Sequence, residues 1–131
     1  MKGDTMTYLE KWFDFNRRQK EIEGLLEETI VQQSDQSLTL KEFYLLYYLD
    51  LAQEKSLRQI DLPDKLHLSP SAVSRMVARL EEKNCGLLSR RCCDQDRRAS
   101  FICLTDEGQT TLAYLQKAVE ERLETSLDFI S

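Results

Sequence analysis

A chain of 131 residues, 41% apolar and 31% charged, with only 4 Gly and 2 Pro, suits one helical domain. A sandwich or barrel would need many more turn residues. No apolar run is long enough to span a bilayer, and Met1 to Met6 carry no signal-like stretch, so the expectation is a soluble, cytoplasmic protein with reduced cysteines and no membrane partner. The net charge of −5 argues against nucleic acid, but its distribution does not, because residues 70–104 hold seven basic groups against four acidic ones. Salt confines the field of the acidic remainder to roughly 8 Å, so such a local patch still attracts phosphate.

In chain order, residues from about 7 to 32 read as a long helix. Leu9, Trp12 and Phe13 share one face, and Ile22, Leu25, Leu26 and Ile30 continue it. Large aromatics at one end of such a helix call for cover by another chain or domain. Thr39 with Glu42 three residues on forms a capping box that starts a second helix through about Ala52. Its run from Phe43 to Leu49 is apolar nearly all round and belongs in the core. A short helix is expected over 58–66, its regular part starting near Asp61 because Pro63 is tolerated in a first turn. Ser69 and Pro70 then suit the N-cap and first position of a helix reaching about Asn84, with Gly86 just past its end. Leu87–Arg91 and Ala99–Leu104 read as two strands joined by a polar loop. Thr105 caps a last helix whose buried stripe is Leu112, Leu115, Val119, Leu123 and Leu127.

The fold class that follows is mainly α with a small β-hairpin wing, in the order α-α-α-α-β-β-α. A short helix, a Ser-Pro turn and a second helix with Val73, Met76, Val77 and Leu80 inward is the helix-turn-helix pattern. Its outward Ser71, Ser74 and Ala78 keep it narrow for the major groove. Arg75 and Arg79 can fork onto guanine, while Ser69 and the other serine hydroxyls reach bases or phosphates. The hairpin tipped by Asp96-Arg97-Arg98 suits an arginine for the electronegative minor groove, with the carboxylate orienting the guanidinium.

The stretch Leu80-Glu81-Glu82-Lys83-Asn84-Cys85-Gly86-Leu87-Leu88-Ser89-Arg90, then Asp96-Arg97-Arg98, then Leu104-Thr105-Asp106-Glu107-Gly108 resembles the MarR family of bacterial regulators. The resemblance extends over essentially the whole chain as a single domain. It implies a homodimer held by residues of about 1–35 and 109–131, with a winged-helix DNA-binding core of about 36–108. It also implies a repressor that binds an inverted repeat in double-stranded DNA and is released by an effector. Ser69, Ser71, Ser74, Arg75 and Arg79 would then lie on the recognition helix. Arg98 would enter the minor groove, Asp96 would orient it, and Arg97 would sit near phosphate. Pro63 departs from the family, where a small residue is usual.

Other residues keep two readings. Cys92 and Cys93, beside Arg90, Arg91 and Arg97, are either incidental or a thiol or metalloid sensor, with Cys85 as a third ligand. Their adjacency does not fit the spacing of tetrahedral zinc. Trp12, Phe13, Tyr44 and Tyr48 either pack in the core or line a pocket for a planar small molecule. His67, the one histidine, is a surface turn residue or a phosphate contact. With no second histidine, no Gly-rich phosphate loop and no nucleophile motif, neither an enzyme nor a cofactor is expected. A winged-helix interaction module without DNA binding is the competing reading, and the acidic body favours it.

Overall fold

The computed structural model describes residues 5–34, 37–81, 85–90 and 101–127. Helix α1 spans Tyr8–Gln33, opened by a reciprocal capping box between Thr7 and Glu10. Helix α2 is Leu40–Leu51, and its capping box forms as expected: the Glu42 backbone N–H donates to Thr39 Oγ1 at 3.1 Å, and the Thr39 N–H donates to Glu42 Oε1 at 2.9 Å. After a 3₁₀ turn come strand β1, Ser56–Arg58, and a second 3₁₀ turn, Gln59–Asp61. Helix α3 is Leu62–Leu66, α4 is Pro70–Leu80, and strands β2, Leu88–Ser89, and β3, Phe101–Leu104, precede α5, Asp106–Ser126.

Two elements differ from expectation. The regular helix starts beside Asp61 with Pro63 in its first turn, as expected, but the rest of the 58–66 segment is a strand end and a 3₁₀ turn, leaving only five helical residues. The helix expected to reach Asn84 ends at Leu80, where Glu81 turns to an extended backbone. The sheet has three strands in the order β1-β3-β2, both pairs antiparallel. Leu57 lies opposite Ile102, and Leu88 opposite Leu104.

The core gathers Ile30, Leu45, Leu49, Leu66, Leu80 and Leu112, all essentially without solvent contact. Helices α1 and α5 pack together, and their bonds Tyr114 Oη to Gln33 and Arg122 Nε to Thr29 cross between them. Of the expected α5 stripe, Leu112, Leu115 and Val119 are buried, Leu123 is partly covered and Leu127 is exposed. Only the C-terminal part of α1 is packed: Leu26, Thr29 and Ile30 are buried, whereas Tyr8, Leu9, Trp12 and Phe13 stand in solvent.

Two glycines hold the junction between β2, β3 and α5. Gly86 adopts φ +76°, a conformation that side chains resist. Gly108 lies so close to the Leu87 carbonyl oxygen and the Leu104 side chain that a Cβ there would overlap both. Thr105 completes the joint: its hydroxyl donates to Gly86 O at 2.7 Å and accepts from Gly108 N at 2.9 Å, while its N–H donates to Leu87 O.

Candidate nucleic-acid interface

The turn between α3 and α4 is fixed from several sides. His67 caps α3 in the left-handed region at φ 55°, ψ 48°, and Lys41 Nζ donates to Leu66 O at 2.6 Å. Ser69 then caps α4, its Oγ accepting from Ala72 N at 3.1 Å. Val73, Val77 and Leu80 anchor the inner face, so Ser71, Ser74, Arg75 and Ala78 stand on an exposed outer face. Arg75 is exposed, and no partner holds it among the described residues.

Arg79, expected to fork onto guanine, has its guanidinium engaged within the fold. Its Nε and Nη2 each donate to the Glu42 carboxylate at 2.7 Å, and Nη2 also donates to the Ser37 carbonyl. The Glu42 side chain is only 5% exposed. This pairing holds the Arg79 guanidinium still higher than its ordinary value, chiefly through the hydrogen bond to Glu42. The same carboxylate accepts the Thr39 N–H, so one buried group ties the start of α2 to the last turn of α4. The pairing spans 37 residues of sequence, which is why a helical wheel of α4 alone places Arg79 toward solvent.

A second polar linkage was not anticipated. Arg90, at the end of β2, donates to Glu81 Oε1 at 2.6 Å and to Gln59 Oε1 at 2.8 Å. The Gln59 amide in turn donates to Ser74 Oγ at 3.2 Å. The chain Glu81–Arg90–Gln59–Ser74 joins the base of the hairpin to the exposed face of α4. Arg90, the last residue of the Leu80-to-Arg90 stretch that carries the family resemblance, was its one sequence signal; Gln59 gave none.

The expected wing residues Asp96, Arg97 and Arg98, and Cys92 and Cys93, lie outside the described residues. Cys85 is a half-buried thiol outside any disulfide, 4.0 Å from Arg79 Nη1. Cys103 is buried on β3 and disulfide-bonded, which corrects the expectation of reduced cysteines. Among the described residues no group of His, Cys, Asp and Glu is arranged to hold a metal, and no helix is long and apolar enough to cross a membrane.

Of the four aromatics expected around a pocket, Tyr44 and Phe13 line two separate ones, Phe13 in a surface depression along α1 with Asn16, Arg17, Lys20 and Glu21. A cavity of about 390 Å³ lies between α1, α2 and α5, walled by Leu26, Phe43, Tyr44, Tyr47 and Val119 among others. Trp12 and Phe13 precede the part of α1 that packs on α5 and stay exposed. Tyr48 lies beside Tyr47, its ring 5.6 Å from Lys65 Nζ.

A short helix, a tight turn and an N-capped second helix with a free outer face, followed by antiparallel strands, define a winged helix-turn-helix domain. Residues 38–100 match the model of the MarR family. The chain is 32% identical over 87 residues to an uncharacterized HTH-type transcriptional regulator, YdgJ, of Bacillus subtilis, covering 66% of this chain and 49% of that protein. It is 33% identical over 81 residues to the HTH-type transcriptional repressor MdtR of the same organism, covering 62% and 50%. The chain thus spans about half the length of the curated relatives it matches. The structure of the transcriptional repressor CouR bound to a 23-mer DNA duplex superposes with a TM-score of 0.72 at 27% identity, over 88% of this chain and 76% of that one. Residues 38–100 thus match the MarR family, and the described residues have its winged-helix fold.

Proposed function

We propose that this protein is a cytoplasmic, sequence-specific DNA-binding repressor that acts as a homodimer on an inverted repeat and is released by an effector. The observation that carries the reading is the outer face of α4: Ser71, Ser74 and Arg75 are exposed on a helix whose inner face and last turn are anchored. Arg75 supplies the fork toward guanine, and Ser69, Ser71 and Ser74 supply hydroxyls for bases and phosphates. Arg98 enters the minor groove, oriented by Asp96, with Arg97 near phosphate. Arg79 positions the helix through Glu42 instead of reading bases. Binding, not catalysis, is the activity.

The exposed apolar face of Tyr8, Leu9, Trp12 and Phe13 supports pairing of two copies through residues of about 1–35 and 109–131, with 36–108 as the DNA-binding core. The effector is a small molecule held in the cavity beside Tyr44, or an oxidant acting on Cys92, Cys93 or Cys85. The disulfide at Cys103 supports the second route.

Selection from random-sequence duplexes tests the proposal. It should enrich an inverted repeat with half-sites about 10 bp apart, one helical turn. No enrichment by a folded dimer would replace this reading with a winged-helix interaction module.

A further inference from the structure

We infer that the cavity between α1, α2 and α5 is a binding site for a lipophilic organic cation. This rests on the effector reading above and gives its small molecule a chemical class. The cavity, about 390 Å³, is of a size that ordinarily holds a small ligand. Its walls are of two kinds. Leu26, Phe43 and Val119 are buried apolar residues, and the rings of Tyr44 and Tyr47 add aromatic surface. Glu23 and Glu120 bring two carboxylates to the same lining, and none of its side chains is cationic.

The charges are not spent elsewhere. Among the described residues neither the Glu23 nor the Glu120 carboxylate has a hydrogen bond or an ion pair. The field of Glu23 is felt in the site: burial first, and then the charge of Glu23, with Tyr48 and Glu27, holds the Tyr44 phenol above its ordinary range. One lysine lies over that ring, and it is engaged elsewhere. Lys41 Nζ lies 6.0 Å from the Tyr44 ring centre and is already bonded to Leu66 O at 2.6 Å.

These features select by charge. An aromatic or alkyl body fits the apolar wall, and a tyrosine face attracts a cation through its quadrupole. Two carboxylates beside low-dielectric surface favour a positive ligand and penalise a negative one of the same shape. A neutral ligand would gain only the apolar contact.

The test uses tetraphenylphosphonium and tetraphenylborate, which share a shape and differ in sign. Each is titrated calorimetrically, in sodium buffer, into the full DNA-free chain. The expected result is a preference for the phosphonium of at least about tenfold. Glu23→Gln with Glu120→Gln should abolish most of it, whereas Glu54→Gln with Asp64→Asn, which remove the same charge outside the lining, should keep it. Circular dichroism confirms that both variants are folded. No phosphonium binding, a preference that survives Glu23→Gln with Glu120→Gln, or an equal loss in the distal variant would overturn the inference. DNA affinity is measured separately with and without phosphonium. Binding that leaves DNA affinity unchanged supports the cation site while removing its effector role.

Discussion

Arg75 and Arg79 sit four residues apart on the same helix, yet their surroundings differ. Arg75 is exposed, and its guanidinium can meet a guanine edge or a phosphate. Arg75→Ala should therefore weaken binding to a selected operator by about 1–3 kcal/mol while the melting temperature stays that of the parent. Fluorescence anisotropy and a thermal melt read the two quantities. Arg79 is instead the partner of a carboxylate that is 5% exposed. Because Arg79 itself is 41% exposed, water compensates it when Glu42 is lost, and the cost is below that of a fully buried pair. Glu42→Gln should lower stability by about 1–3 kcal/mol in denaturant unfolding. A double-mutant cycle with Arg79→Gln should show the two losses to be non-additive, and strict additivity would remove the tie between α2 and α4. Gly108 is fixed by space: Gly108→Ala drives a methyl into the Leu87 carbonyl and should cost about 1–3 kcal/mol by the same measurement.

At the scale of elements, the parts that local chemistry decides were legible. The capping box of α2, the Ser69-Pro70 start of α4 and the Thr105 cap of α5 each follow from one residue and its near neighbours. Strand β1 was not legible, because Ser56, Leu57 and Arg58 are too few to show a period, and they become a strand only by pairing with β3. The early end of α4 was missed for a related reason. Gly86 does close its end, but by bonds from Gly86 N to Glu81 O and from Leu87 N to Leu80 O that reach back several residues, so the helix stops well before the glycine. In the site, α4's outward face followed from its periodicity. The Arg79–Glu42 pair and the Gln59–Ser74–Arg90 linkage did not, since both depend on partners brought together by the fold.

At the scale of the molecule, the proposed dimer accounts for the half of α1 that this chain leaves bare. Tyr8 is 87% exposed, Trp12 58% and Phe13 61%, on one capped helix. Leu9→Ser with Phe13→Ser should shift sedimentation equilibrium toward monomer and reduce operator affinity with it, because one winged domain can occupy only one half-site. Dimerisation unchanged by these substitutions would place the interface elsewhere. The same dimer reconciles a net charge of −5 with DNA: only the basic stretch around 70–104 faces phosphate, and the acidic remainder is screened.

The central claim, that this protein recognises DNA through α4 and the hairpin after it, is tested most directly by a gel shift on DNA upstream of its own gene. It is run at two salt concentrations, with parent and Arg98→Ala. The account predicts a competitor-resistant complex whose affinity falls steeply with salt, and a loss of about 1–3 kcal/mol in the variant without unfolding. Binding that ignores salt, or that the variant retains at parent affinity, would contradict it.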